Sequence, residues 1–439
     1  MSFSYEAYEI LAEGKTKIIR RAPDDEKLAI LEAKDDITAG DGAKHDVIAG
    51  KAELATRTTS NIFRLLAASG VPVAFREQLD PVRFLAEHCK MLPYEVVVRR
   101  EAHGSYLKRH PHIKKGHVFP RLLVEFFLKT KDKVWEGRPL PKDDPYIDFG
   151  VGWFPMHLYR PDVPTWQEGA CISTLEEFSG HEDRHELFPA MSRIACQTFL
   201  VLEKAWQLVG CDFLDFKVEF GLNADGQLVL ADVLDNDSWR LLQDGHHLDK
   251  QLYRDGAPLT VVAERYRQVA ELTERFMLPR QLIILWRGSK KDDLKAFHEA
   301  MAPFGFQEID TFPGQGRLAV ITCSAHKQPV RTYRELAWLV QHIPDAVVIT
   351  YVGGSNGLGP TLAANTTVPV ITVPASIKDF PDDIWSSLRM PSDVPVMTIL
   401  EPKSAVLAAL QILAMRNPKL YAMLRMQQEE RLTNVVELE

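Results

Sequence analysis

"LDFKVEFGLNADGQLVLADVLDNDSWR", residues 214–240, is the stretch on which the fold of the first half turns. Phe216, Val218 and Phe220 alternate with Asp215, Lys217 and Glu219, and a period of two puts the three charged residues on one face of a strand. Asn-Ala-Asp-Gly at 223–226 is a turn signal before a second apolar run, so the stretch reads as a hairpin. With an even-numbered loop, Asp232 on the return strand shares the Glu219 face. Two carboxylates brought together repel unless a divalent cation lies between them, and oxygen ligands suit magnesium. Cross-strand ion pairing with Lys217 is the alternative. "DNDSWR" then supplies Arg240 as a fork for a carboxylate or phosphate.

Upstream, "KLAILEAK" reads as another strand, and "KAELATRTTSNIFRLLAAS" and "AMSRIACQTFLVLEKAWQLV" carry helical periodicity, which makes the first part α+β. A charged helical stretch at 261–276 ends at Pro279, and the domain boundary is placed there. The division expected is 1–262, a linker at 263–280, and a second domain at 281–439. In that second part the apolar runs "LIILW", "LAVITC", "AVVITYV" and "PVITVPA" are continuous rather than alternating. A parallel sheet covered on both faces demands such strands, so this half is expected to be a doubly wound, three-layer α/β domain. Ligands of such sheets bind where loops leave the carboxyl ends of strands, the positions of "CSAHKQP" (323–329) and "GGSNGLGP" (353–360).

At 439 residues, 46% hydrophobic and 26% charged, the chain falls among globular proteins of two domains. Five scattered cysteines with no CxxC spacing argue against a disulfide framework and a structural zinc site, and fit a reducing cytoplasm. No basic segment leads into an apolar run at the start, and no stretch approaches a membrane span, so neither secretion nor membrane insertion is expected. A formal charge of −8 disfavours nucleic acid, and the basic stretch 99–117 lacks aromatic interleaving; a small phosphorylated substrate or plain solvation explains it better.

Two motifs are decoys. "EGKTK" at 13–17 needs a glycine five positions before Gly14 to be a P-loop and has Glu9. "HEDRH" at 181–185 satisfies HExxH without helical context or a third ligand, so no zinc is expected. What "EGKTK" does offer is Gly14 before Lys15 and Lys17, which on a strand share a face and suit a polyphosphate. An edge strand guarded by lysines is the plainer reading. In "RGSKKDD", Ser289 and Asp292 have the spacing of a helix cap, whose amide end also attracts anions.

Taken together these motifs resemble two known families. "EGKTK", "DDITAGDGAK", "VVVRREAHGSYLKR", "LDFKVEFG", "LADVLDNDSWRL" and "DKQLYRD" occur in the order found in SAICAR synthetase. "GS..D", "SAHK", "GGSNGLGP", "NTTVPVI" and "DIWSSLRMPS" resemble AIR carboxylase of the ATP-independent, animal type, a flavodoxin-like fold. The resemblance implies a bifunctional enzyme of purine biosynthesis, carboxylating AIR to CAIR with CO2 and then ligating CAIR to aspartate with ATP and Mg2+ through an acyl phosphate. By the same resemblance, Gly14, Lys15 and Lys17 hold ATP and Glu219 and Asp232 the metal. Arg99, Ser105 and Arg240 bind the phosphorylated substrate, with Arg254 a further anion candidate and Lys217 beside the reacting carboxylate. His326 becomes the proton shuttle of the carboxylase, with Ser289, Asp292, Lys327, Ser355 and Gly357 shaping its pocket. A homo-oligomer is implied, an octamer in carboxylases of this type. The rival expectation is a synthetase alone, its second domain kept as an assembly scaffold.

Overall fold

The computed structural model describes residues 8–39, 44–135, 137–149, 153, 155–174, 186–308 and 317–432. The "HEDRH" motif and residues 40–43 of "DDITAGDGAK" lie outside the described residues. The chain divides into two compact units, residues 1–277 with 425–439, and residues 278–424.

The first unit is α+β, built on two antiparallel sheets. The smaller has five strands in the order Ile10–Glu13, Lys17–Arg21, Leu28–Ala33, Arg83–Glu87, Phe75–Asp80. Helix Lys51–Ala68 packs on it through Ile62, Phe63, Leu65 and Leu66, all buried. The larger sheet has nine strands, with Val118–Leu128, Lys90–Glu101, Asp212–Leu222 and Trp239–Gln243 adjacent in that order at its centre. Helix Leu187–Leu208 covers this sheet with Phe188, Met191, Phe199 and Trp206.

The hairpin expected at 214–240 is present, with one correction. Strand Asp212–Leu222 pairs with Leu228–Ala231, so the loop is five residues, Asn223–Gln227, and Ala231 rather than Asp232 lies across from Glu219. Asp232 follows the strand in a left-handed conformation, φ 66°, which re-aims its side chain despite the odd loop. "EGKTK" also differs from expectation. It is a hairpin turn, with Gly14 N–H donating to the Lys17 carbonyl at 2.9 Å, so exposed Lys15 lies in the turn and only Lys17 on a strand.

The expected linker at 263–280 is largely helix. Leu259–Thr273 buries Val262, Tyr266, Val269 and Ala270 and packs on helix Lys51–Ala68, within the first unit.

The second unit is a five-stranded parallel sheet in the order Leu318–Thr322, Leu282–Arg287, Ala346–Val352, Val370–Pro374, Met397–Thr398. Numbered along the chain this is 2-1-3-4-5, the flavodoxin-like order. The continuous apolar runs are explained by two cores. Ile283, Leu285, Val347, Ile349, Ile371 and Val373 face helices Lys295–Met301 and Pro402–Ala414. Leu282, Ile284, Trp286, Val348 and Val370 face helices Pro329–His342 and Leu358–Ala363. No described helix is long and apolar enough to cross a membrane.

Candidate active sites

The first unit holds a cavity of about 370 Å3 between apolar walls and a charged end. Ile19, Ala29, Leu31, Phe75, Phe84 and Leu92 form a surface suited to a flat ring, and Lys17, Lys129, Glu219 and Asp232 form the charged end. Lys17 pairs with Asp232. Lys129 Nζ donates to Glu219 Oε2 at 2.6 Å, and Lys217 Nζ donates to Glu95 Oε1 at 2.6 Å and Glu219 Oε1 at 3.3 Å. Three ammonium groups therefore interleave with three carboxylates: Lys217 pairs across strands with Glu95 and along its own strand with Glu219, and Asp232 pairs with Lys17 instead.

These charges tune one another. Burial, chiefly, lowers the Lys17 ammonium to about 8; Glu219 opposes the shift and Lys129 and Lys217 add to it. Burial also pulls on Lys217, but Glu95 and Glu219 outweigh it and hold its pKa above the usual lysine value. Lys217 thus stays cationic. Glu219, although buried, is kept below the usual carboxylate range by Lys217 and Lys129.

The donor set at this end fits a divalent cation: two carboxylates on one cavity wall, Asp232 held there by a non-glycine left-handed backbone. Among the described residues no third metal-ligating side chain joins them, so remaining ligands would come from phosphate oxygens and water. Lys129 and Glu95 escaped the sequence reading, because only the pairing of strand Lys90–Glu101 with its two neighbours brings them to Lys217 and Glu219.

Arg99, Ser105 and Arg240 converge. Arg99 Nη2 donates to Ser105 Oγ at 3.3 Å, and Arg99 and Arg240 share the carboxylate of Asp215. Gly104, φ 59°, packs directly on the Arg240 guanidinium. Arg254 stands apart. It is exposed, and its guanidinium reaches Gln251 Oε1 of its own short helix at 3.4 Å.

The second unit holds a cavity of about 340 Å3 at the carboxyl ends of its strands. Ser289, Asp292, His326 and Ser355 line it, with Ser324, Gly353, Gly354 and Ser376, which the sequence reading had not singled out. His326 sits between strand Leu318–Thr322 and helix Pro329–His342, its ring against Gly357. Gly353 is as tightly placed, since a Cβ there would stand 3.0 Å from the Ser376 backbone nitrogen and overlap its side chain. Asp383 Oδ2 accepts from Gly354 N–H at 3.0 Å, and buried Asn356 donates to Thr372 and Ser387, both at 3.2 Å, fixing this loop from behind. Lys327 is exposed and is not among the lining residues.

Ser289 and Asp292 do not cap a helix as expected. Asp292 accepts from Ser289 N–H at 3.0 Å in a turn that ends before the helix, which begins at Lys295 and spans only seven residues. Its first free amide is met by Asp293. The turn itself presents both side chains to the cavity.

Comparison with known proteins finds two families along the chain. The sequence matches the SAICAR synthetase family over residues 10–137 and 173–272 and the AIR carboxylase family over 283–434. It is 34% identical over 429 residues to the bifunctional phosphoribosylaminoimidazole carboxylase/phosphoribosylaminoimidazole succinocarboxamide synthetase of Homo sapiens, covering 94% of this chain and 92% of that one. The Drosophila melanogaster protein of the same description is 33% identical over 431 residues, covering 96% and 92%. A phosphoribosylaminoimidazole-succinocarboxamide synthase of Chloroflexus aurantiacus is 41% identical over 275 residues, 61% of this chain and 96% of its own.

Proposed function

The chain belongs to the family of bifunctional enzymes that join SAICAR synthetase to AIR carboxylase in purine biosynthesis, and from that premise we propose how its residues divide the two reactions. The observation that carries the assignment is the pair of cavities, the first lined by Lys17, Glu219 and Asp232 and the second by Ser289, Asp292, His326 and Ser355.

In the first, the apolar walls take the adenine of ATP, and Gly14, Lys15 and Lys17 take its phosphates. Glu219 and Asp232 hold Mg2+, which when bound neutralises phosphate charge during transfer. Arg99, Ser105 and Arg240 hold the phosphate of CAIR, with Arg254 a weaker candidate. Lys217, kept cationic by Glu95 and Glu219, lies beside the CAIR carboxylate. ATP phosphorylates that carboxylate, and the aspartate amine then displaces phosphate. Both steps rest on fixed charge rather than on a nucleophilic side chain.

In the second cavity AIR attacks CO2 through a ring carbon that must then lose a proton. His326, an imidazole on the cavity lining, takes it. Ser289, Asp292, Ser355 and Gly357 shape the pocket, with Lys327 at its approach. We assign the enzyme to the cytoplasm, which five free cysteines support. We also assign it to a homo-oligomer, an octamer as the resemblance implies. Exposed Tyr333, Trp338, Phe380 and Trp385 support association through the second unit. No observation favours the scaffold reading of that unit.

The test is CAIR formation from AIR and bicarbonate without ATP or aspartate, for the native enzyme and His326→Asn. Formation above the uncatalysed rate, lost in a folded variant, is expected. No formation by the native enzyme, with SAICAR still made from supplied CAIR, would reduce the second unit to a scaffold.

A further inference from the structure

Strand Asp212–Leu222 runs between Lys90–Glu101 and Trp239–Gln243, and at one register position Asp215 has Arg99 directly across on one side and Arg240 across on the other. Its Oδ2 accepts from Arg99 Nη1 at 2.6 Å and from Arg240 Nη1. A second carboxylate stands behind the first: Glu125 accepts from Arg99 Nε at 2.6 Å and from Arg109 Nη2. Asp215, Glu125 and Arg99 are each only 3% exposed, whereas the Arg240 side chain keeps 19% and forms the exposed edge of the cluster. Arg109 is held by a third anchor, the Pro161 carbonyl at 3.0 Å, and by the Phe127 and Tyr146 rings.

Within this cluster three guanidinium groups face two carboxylates, which leaves one positive charge unmatched, at the partly exposed Arg240 end. The Nη2 of Arg99 donates to Ser105 Oγ, and the Arg240 guanidinium lies against Gly104. Without the shared oxygen, two adjacent guanidinium groups would repel, and each long side chain would surrender its freedom only when a ligand arrived. With it, their spacing is set in advance.

We propose that Asp215, backed by Glu125, is a positioning residue that fixes the spacing of the Arg99–Arg240 pair and so makes this corner selective for a phosphomonoester. This rests on the reading above that Arg99, Ser105 and Arg240 receive the CAIR phosphate. Removing the brace weakens capture of the phosphorylated substrate and leaves the chemistry at Lys217 and Glu219 intact, because these residues, two and four positions further along the same strand, keep their own partners Glu95 and Lys129.

The experiment is steady-state SAICAR synthesis by the full-length enzyme and its Asp215→Ala, Asp215→Asn and Arg240→Ala variants, varying CAIR and ATP in turn. Asp215→Ala is expected to raise KM for CAIR about tenfold or more, with kcat within about threefold and KM for ATP unchanged. Asp215→Asn keeps an oxygen that both arginines can share and recovers most of that loss. An unchanged KM for CAIR in Asp215→Ala, or a fall in kcat with KM unchanged, overturns the proposal. If Arg240→Ala itself leaves KM unchanged, the phosphate does not bind here and the underlying reading fails instead. Should Asp215→Ala not fold, Asp215→Glu displaces both guanidinium groups by a methylene; the same rise in KM is then expected, and a native KM overturns the idea.

Discussion

The ring of His326 lies so close to the backbone of Gly357 that a Cβ at that position would overlap Nε2 and Cε1 and stand 3.0 Å from Cδ2. Gly357 has φ −82° and ψ −19°, values any residue adopts, so glycine is there for space and not for backbone freedom. Gly357→Ala should therefore leave the fold intact and push only the imidazole, which is at the exposed end of a mobile side chain. Misplacing a proton-transfer group by an ångström costs up to about a hundredfold in rate. Carboxylation of AIR is expected to fall at least about tenfold, with the thermal midpoint and SAICAR synthesis unchanged. A variant with native carboxylase activity would show that His326 does not act from this position.

Glu219 and Asp232 line the same cavity end as Lys17 and Lys129. Replacing either carboxylate by its amide removes a ligand charge while keeping its volume. Glu219→Gln and Asp232→Asn should each lower kcat for SAICAR synthesis by about a hundredfold and raise the Mg2+ concentration needed for half activity. AIR carboxylation should be native in both. A Mg2+ requirement that does not move would assign the metal to other ligands.

Cys89 lines the first unit's cavity, where the nucleotide is proposed to bind, and burial, with Glu87 adding, pushes its thiol up to about 11. Cys171 is exposed, whereas burial pushes Cys196 up to about 12. Since only the thiolate alkylates, iodoacetamide at about pH 8 should label Cys171 first and Cys196 last. Below its pKa the Cys89 thiolate fraction rises about tenfold per pH unit, so its labelling should accelerate steeply between about pH 8 and 10. ATP should suppress that labelling and leave Cys171 unaffected. Peptide mapping by mass spectrometry separates the sites, and ATP without effect on Cys89 would place the nucleotide elsewhere.

What sequence reading reached depended on how far apart the cooperating residues lie. Alternating or continuous apolar runs report burial on one or two sheet faces, so Ile283 and Leu285 against Leu282 and Ile284 were legible as a doubly covered sheet. Motif residues near each other in the chain, such as Ser289 with Asp292, were also found, although their turn was mistaken for a cap. Lys129 and Glu95 were not found, because nothing local distinguishes an active-site lysine from one at the end of any strand. Asp232 was assigned to the right face by a parity rule that its five-residue loop breaks; a single left-handed residue restores the outcome. The helix at 261–276 and a boundary near Pro279 were legible, with the units dividing at 277/278, but the helix's membership of the first unit rather than a linker at 263–280 was not, for a different reason. The charged residues of "VVAERYRQVAELTERF" conceal a narrow buried stripe whose partner helix begins some 200 residues earlier.

That stripe gives the last prediction. Tyr266 is 1% exposed, its hydroxyl donates to Asp237, and its ring lies under the Lys51 ammonium, 5.7 Å from the centroid. Asp237 is half-buried among Lys51, Lys250 and this hydroxyl; against the pull of partial burial, the two lysines hold its pKa below the usual range. Tyr266→Phe removes one donor from a half-buried carboxylate that keeps Lys250 at 2.9 Å, a loss of about 1 kcal/mol. Tyr266→Ala also opens a cavity against helix Lys51–Ala68 and should cost about 3–5 kcal/mol. A residue of a solvated linker would cost within about 0.5 kcal/mol. Urea denaturation of the first unit's transition, followed by tryptophan fluorescence, distinguishes these magnitudes. Because Asp237 is charged above its depressed pKa, its share of the stability should be present at neutral pH and fade as pH falls through that value. The gap between Tyr266→Phe and the native enzyme should therefore narrow in acid, and a gap independent of pH would mean the hydroxyl is not bound to an ionised Asp237.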